Sequence, residues 1–403
     1  MLKSSFVILA LTAACGFAMA EGVGTVASPF ESELLADAQS RTSLLASEGG
    51  AGRDDKGFYI GHGDARLYIG GSIQMRYNMG FRDTTSDSED FTNGFENRRT
   101  RLLVSGNTTK QLSFLIQTEF KGDGTTVLKD AWAQYKFEDG WVLRVGQHKP
   151  ALLREELVSD LLQVAVERSV TNAVFNQGRT HGIELSREWE HFRLAAGLND
   201  GVNADNTYYD RAKEADFAVT ARGEYKFAGE WKQFRDFSGW RDGPLGVLLG
   251  GAVHYQAGGG TGGTGDVDML EYTSDLSLEG SGWNAFVAFI GRHRDEAVGE
   301  FDDFGVIVQG GAFVADQVEV FARYDVVIPD DARASDPDPF GTISVGGSYY
   351  LSPKSHAAQV RLQVSWFLDA QSESIVPTST TTGVLADSEG DQVAVMVEWS
   401  LIW

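Results

Sequence analysis

Cysteine is nearly missing from this chain: of 403 residues, Cys15 alone carries a thiol. It lies in an N-terminal apolar stretch with the marks of a removable leader, so the mature chain can form no disulfide and no thiolate metal site. Proline is also scarce, at 8 residues, whereas glycine is abundant at 47. Dispersed glycine without a collagen period suits many tight turns and close strand contacts. Long hydrophobic runs are absent. No later segment reaches 18 consecutive apolar residues, so any crossing of a membrane must be made by strands. Cations are in deficit, with 34 Lys plus Arg against 57 Asp plus Glu. That balance excludes nonspecific nucleic-acid binding, which needs a basic footprint. Catalytic constellations are missing too. The seven His are scattered, and there is no H-E-x-x-H and no G-x-S-x-G. Gly259 to Gly265 lacks the Lys-Ser/Thr and following helix of a phosphate loop. These absences predict no enzyme, no cofactor and no metal centre.

What is present begins with a secretory leader over residues 1–20. Lys3 supplies the positive end, Phe6 to Ala18 the apolar centre, and Ala18-Met19-Ala20 the cleavage site before Glu21. A lipoprotein cysteine at Cys15 is the alternative, but Thr12 stands where such a site usually has Leu. Residues 21–56 form a separate N-terminal segment. Phe30 to Ser47 carries Leu34, Leu35, Ala38, Leu44 and Leu45 at helical spacing, and a Gly run ends it. It reads as a short helical periplasmic linker, or as a helix that self-associates in an oligomer.

From about Gly57 the period changes to two, and residues 57–403 form the main domain. In the last strand Val393, Val395, Val397, Trp399, Leu401 and Trp403 share one face. Gln392, Ala394, Met396, Glu398, Ser400 and Ile402 share the other. The same alternation recurs at Leu67–Tyr77, Leu112–Phe120, Phe217–Phe227, Val318–Val326 and Ala358–Leu368, with charges in mid-strand opposite an apolar face. Sixteen cores follow: 65–78, 97–107, 112–121, 127–137, 141–148, 179–188, 191–198, 216–227, 245–255, 270–278, 283–292, 304–314, 318–327, 342–351, 357–368 and 392–403. Connectors alternate between long, His293 to Asp303 among them, and short, as outer loops and periplasmic turns do in outer-membrane barrels. The fold class is therefore all-β: a transmembrane antiparallel barrel of sixteen strands, with Trp399 and Trp403 as interfacial anchors. Two connectors break the rule. Gly122 to Thr126 is a short outer loop, and Ala228 to Pro244 is a long inner turn without a physical reason in the sequence.

The third outer loop, Lys149 to Gly178, is the longest connector. Leu152, Leu153, Leu157, Leu161, Leu162, Val164 and Val166 form an apolar stripe among Arg154, Glu155, Glu156, Asp160, Glu167 and Arg168. Such a stripe has no reason to sit in water, which predicts a loop folded into the lumen that presents charge to the channel. An exposed helical loop, or one packed on a neighbouring subunit, is the other reading. Basic residues cluster nearby: Arg98, Arg99 and Arg101 begin the second strand, Arg144, His148 and Lys149 end the fifth, and Arg179 opens the sixth. If they face the lumen, Arg99, Arg101, Arg144, Lys149, Arg154, Arg168 and Arg179 form a pore lining suited to anions. Alternatively they are ion pairs with Glu119, Asp130, Glu155 and Glu156 that hold loop to wall.

The chain also resembles a known family, the phosphate-selective porins O and P. The resemblance rests on Ile69-Gly-Gly-Ser-Ile-Gln-Met-Arg-Tyr77, Arg98-Arg-Thr-Arg101, Leu128-Lys-Asp-Ala-Trp132 and Val145-Gly-Gln-His-Lys-Pro150, and on Glu167-Arg168 and Arg323-Tyr-Asp325. It implies a homotrimer of sixteen-stranded barrels passing anions past the third loop, with anion contacts at Arg99, Arg101, Arg144 and Lys149. The outer loops depart from that pattern. Asp83, Asp87, Glu89 and Asp90 in the first, and Asp330, Asp331, Asp336 and Asp338 in the seventh, are acidic. They repel anions within a Debye length, and their hard oxygens suit divalent cations when they are not merely solvated. A terminal strand ending on Trp403 resembles the signal read by barrel-assembly machinery. The expectation is a passive outer-membrane channel, set in lipid, for small hydrophilic solutes, anions such as phosphate. The rivals are a non-selective or cation-preferring porin, a structural or adhesin barrel, and a barrel lipase.

Overall fold

Residues that alternate apolar and polar every second position can satisfy two solvents at once only as strands, and strands in lipid must close on themselves to leave no unpaired edge. The computed structural model describes residues 49–54, 57–82, 90–209, 214–259, 267–333 and 335–403. Two units are separable, Met1–Gly50 and Ala51–Trp403. The first, with the leader and the helical pattern of the N-terminal segment, lies almost wholly outside the described residues.

The second unit holds the barrel. A short strand pair, β1 (Gly49–Asp54) and β2 (Gly57–His62), precedes it. The wall runs through β3 (Ala65–Phe81), β4 (Phe91–Asn107), β5 (Leu112–Phe120), β6 (Thr126–Lys136), β7 (Trp141–His148), β8 (Thr180–Glu188), β9 (Phe192–Asn199) and β10 (Phe217–Ala228). It continues with β11 (Gly246–Ala257), β12 (Asp268–Gly280), β13 (Trp283–Glu296), β14 (Gly299–Ala315), β15 (Val318–Ile328), β16 (Phe340–Ser352), β17 (Ser355–Phe367) and β18 (Gln392–Ile402). Each strand pairs antiparallel with its neighbour in sequence, and β18 pairs with β3, which closes sixteen strands. All sixteen predicted cores appear. At the seam Trp403 N–H donates to Gly71 O at 3.1 Å and Gly71 N–H to Trp403 O at 3.2 Å.

The polarity is inside out. Along β18 Gln392, Ala394, Met396, Glu398 and Ser400 are buried, whereas Trp399 and Leu401 are 45% and 47% exposed. The same holds on β15, where Glu319, Arg323 and Asp325 are buried and Val320 and Tyr324 face out. A soluble sandwich would show the reverse; an apolar exterior around a charged interior is the solution for lipid. At the short-turn end, outward aromatic rings meet, as in Trp141 with Trp189 and Tyr225 with Phe227. Such rings suit the membrane–water interface.

Three sequence expectations are corrected. The connector read as long over His293–Asp303 is only the turn between Glu296 and Gly299. Its charged residues are strand residues that pair across the hairpin, as His293 with Asp302 at 2.9 Å and Arg294 with Asp303 at 3.3 Å. Above the hydrocarbon, strand faces can be polar on both sides, so alternation fades although the ladder continues. Similarly, β4 starts at Phe91, which places Arg98, Arg99 and Arg101 in mid-strand. Finally, parity is broken by bulges. Gln74 faces Arg99 and Met75 faces Asn97, leaving Arg98 as the extra residue. Gln117 faces Asp130 and Thr118 faces Leu128, leaving Lys129. A bulge re-aims one side chain, and here each adds a cation to the lumen.

The long inner turn also acquires a reason. Between β10 and β11 it folds up into the barrel, burying Phe234, Phe237 and Ser238. Ser238 Oγ donates to Glu319 at 2.9 Å, and Trp240 packs on Tyr350 with ring centroids 4.8 Å apart.

Candidate functional site at the third loop

The loop between β7 and β8 enters the lumen. Its backbone forms two short helices, α1 (Arg154–Leu157) and α2 (Val170–Phe175), with a single 3-10 turn at Asp160–Leu162. Ser169 caps α2 by accepting from the Asn172 N–H at 2.9 Å. The apolar stripe is buried: Leu152, Leu153, Val158, Val164, Ala165, Val166, Val170 and Phe175 join one core with Phe286, Ile290, Ile307, Phe321, Val327, Phe340, Phe367 and Met396 from β13–β18. Each such side chain contributes about 1.5–3 kcal/mol when taken from water. The loop thus docks on one wall by the hydrophobic effect. Val376 and Val384 of the last outer loop join the same core.

Polar groups complete the docking. Arg361 on β17 donates to the carbonyls of Asp160, Gln163 and Ala165 at 3.2, 3.2 and 3.0 Å, and its other amine meets Glu398. Arg323 on β15 donates to Glu167 O at 3.1 Å. Asp325 accepts from Thr171 N–H at 2.9 Å. On the adjoining strands β3 and β4, Glu167 meets Arg76 at 2.6 Å and Arg98 at 3.4 Å, as well as Arg99. Asp160 meets Arg99 at 2.7 Å and Arg101 at 2.8 Å. Burial raises the pKa of both acids, but the arginines outweigh it and hold them well below the usual carboxylate range.

The cations picked out in the sequence fall into two groups. Arg99, Arg101, Lys149, Arg168 and Arg179 line a cavity of about 240 Å³ on the outer side, with Arg98 and Lys129 added by the bulges. Arg144, Lys149 and Arg154 line a second cavity of about 400 Å³, joined there by Arg193, Arg222 and Arg235. Lys149 belongs to both. Most of these groups are paired. Arg101 meets Glu119 at 2.6 Å, Arg144 meets Glu184 at 3.1 Å, and Arg179 meets Asp130 at 2.8 Å. Lys149 meets Glu156 at 2.7 Å, and Arg168 approaches the same carboxylate at 3.4 Å. Burial pushes Glu156 up, yet Lys149 and Arg168 bring it down to about 2. Burial lowers Lys149 to about 8, because Arg168 and Arg179 offset part of the pull of Glu156. Arg154 donates to Phe234 O and lies over the Phe237 ring at 5.5 Å.

The ion-pair reading of these residues therefore describes their geometry: Glu119 and Asp130 each hold one of them, Glu156 holds two, and Glu155 accepts from Ser169 N–H at 2.8 Å. The linings nevertheless keep an excess of cations. The inner cavity carries six basic groups against two carboxylates, and the outer seven against four. Sequence reasoning named Arg98 in the basic cluster but left it out of the pore lining, and it did not pick out Lys129, Arg76, Arg193, Arg222 and Arg235. Arg76 and Arg222 sat on polar faces already recognised; Arg235 had no signal. Among the described residues, no group of three or more His, Asp or Glu could hold a metal ion. Asp83, Asp87 and Glu89 lie outside the described residues.

The family model for phosphate-selective porin O and P matches residues 69–260, a span that includes both bulges and the whole third loop. That stretch of the chain is similar to this family. A comparison with curated proteins finds no match. Among solved structures, outer-membrane expressed OmpT of Vibrio cholerae is 13% identical with a TM-score of 0.59, covering 86% of this chain and 100% of that one. An anion-selective porin from Comamonas acidovorans is 17% identical with a TM-score of 0.59, covering 84% and 100%. The outer membrane channel DcaP of Acinetobacter baumannii is 12% identical with a TM-score of 0.55, covering 84% and 97%. At these identities the likeness is one of fold. The protein is a porin of the outer membrane, with its charged lumen narrowed by the third loop.

Proposed function

We propose that this porin is an anion-preferring diffusion channel for small hydrophilic solutes, phosphate among them, with no catalysis and no energy source. The observation that carries the reading is the cationic excess of both cavities beside the third loop, in a chain whose net charge is −23. The linings beside the third loop are therefore cationic although the chain as a whole is acidic. Selectivity is set where the path is narrow and water is few, because charges there are screened least. Arg99, Arg101, Arg144, Lys149, Arg154, Arg168 and Arg179 are assigned to the anion path, the paired ones acting through the summed field rather than as free donors.

The working form is a homotrimer in outer-membrane lipid; one solved form of the OmpT neighbour is described as a trimer. Residues 1–20 are removed as a signal peptide and 21–56 remain as a periplasmic segment before the barrel domain at 57–403. Trp399 and Trp403, 45% and 53% exposed, anchor the barrel at the interface and mark the last strand for barrel-assembly machinery. The acidic outer loops favour a second reading, a non-selective or cation-preferring pore. Reversal potentials of the purified porin in planar bilayers under a KCl gradient separate the two. Anion preference is expected; cation preference refutes it, and absence of conductance refutes the channel.

A further inference from the structure

The inner cavity is not roofed and floored by the same kind of element. Lys149 and Arg154 come from the third loop, whereas Phe234 and Arg235 come from the periplasmic turn between β10 and β11. That turn is a fixed part of the lumen. Phe234 and Phe237 are 2% and 3% exposed, and Phe237 meets Phe286 with ring centroids 4.9 Å apart. Its N–H donates to Leu162 O of the third loop at 3.2 Å. A Cβ placed on Gly239 would stand 2.0 Å from Trp283 O, so the turn lies in direct backbone contact with the wall.

Pairing sorts the cations of this cavity. Arg144 has Glu184, and Arg193 has Glu188 and Glu224. Arg222 has Asp275 and Glu224. Two guanidiniums have no carboxylate among the described residues. Arg154 is buried and bonds only the Phe234 carbonyl, and its Nε is left without an acceptor. Arg235 is exposed to the cavity and makes no side-chain ion pair. The turn thus orients one uncompensated cation through Phe234 O and supplies the other itself. Forked donors without a resident carboxylate are matched by an oxyanion, which can accept from both.

We propose that the periplasmic turn is a second constriction element, and that Arg235 with Arg154 forms an inner binding site for a small oxyanion such as phosphate, in series with the outer cavity and linked to it by Lys149. The proposal rests on the anion-preferring reading above. Its test is chloride current through the intact porin in planar bilayers, with inorganic phosphate added to either chamber, for wild type, R235Q and R235K. Arg235 is exposed on a turn, so these variants fold; the heat-dependent gel mobility of the barrel checks that. In wild type, phosphate blocks from both sides. In R235Q the half-blocking concentration from the periplasmic side rises about tenfold, the loss of one charge-assisted hydrogen-bonding partner, while block from the outer side stays the same. R235K keeps most of the block. Equal periplasmic block in wild type and R235Q, with anion preference intact, overturns the inner site alone. A cation-preferring wild type overturns the anion reading and the inner site with it.

Discussion

Replacing Glu167 by Gln removes one charge and almost no volume, at the point where the third loop meets the β3–β4 wall. In the native barrel this carboxylate is 4% exposed and faces Arg76 at 2.6 Å, Arg98 at 3.4 Å and Arg99. Arg76 keeps Glu398 at 2.9 Å and Arg99 keeps Asp160 at 2.7 Å. Arg98, added by the bulge, has no second carboxylate among the described residues. Breaking a buried ion pair from one side costs about 3–5 kcal/mol, because the surviving charge stays desolvated. Partial compensation by Glu398 and Asp160 puts E167Q near the lower end, about 3 kcal/mol, or roughly a 150-fold shift toward an undocked loop. The barrel itself should persist, since its sixteen-strand ladder does not pass through Glu167. Limited proteolysis in detergent reads this directly. Buried bonds around Val164–Val166 should be cut on the order of a hundredfold faster when opening is rapid relative to cleavage, while the heat-dependent gel shift of the barrel is unchanged. Conductance steps should also become noisier as the loop moves. If E167Q matches wild type in loop cleavage and in current noise, Glu167 does not hold the loop, and the docking argument fails.

Lys149 is lowered to about 8, so it is a cation below that pH and neutral above it. From pH 7 to 9 its charged fraction falls from about nine-tenths to about one-tenth, and the anion-to-cation permeability ratio should fall over the same window. K149R should flatten the profile because arginine stays charged; a flat wild-type profile would show that Lys149 is not on the path. At the closing seam, a Cβ on Gly71 would lie 2.5 Å from both Arg101 O and a Trp403 ring carbon. G71A should therefore destabilise the barrel by about 1–3 kcal/mol, read as conversion to the unfolded gel band at lower temperature than wild type. Identical conversion temperatures would mean that Trp403 does not need this approach.

Much of the barrel is local information, and the sequence carries it by itself. A strand declares its two faces in residues two apart, so Val393 to Trp403 and Val318 to Val326 announce which side meets lipid without reference to any partner. The apolar stripe from Leu152 to Val166 likewise demands burial, which sends the third loop inward. The tertiary structure alone decided what depends on register and closure. A one-residue bulge turned Arg98 and Lys129 into the lumen against their parity, and nothing in the neighbouring residues announces a bulge. Phe321 and Met396 look misplaced on charged faces until the loop packs against them. Arg76 and Glu398 are far apart in the chain and meet only because β18 returns to β3, and Arg99 meets Asp160 only because the third loop folds in. The inner turn had no local reason either, since its aromatic residues are buried by β13–β17 and by a loop that enters from the opposite end. Alternation is a short-range consequence of the strand period. Which charges neutralise one another, and which guanidiniums remain for a solute, is fixed only when the sheet closes and both ends of the lumen are filled.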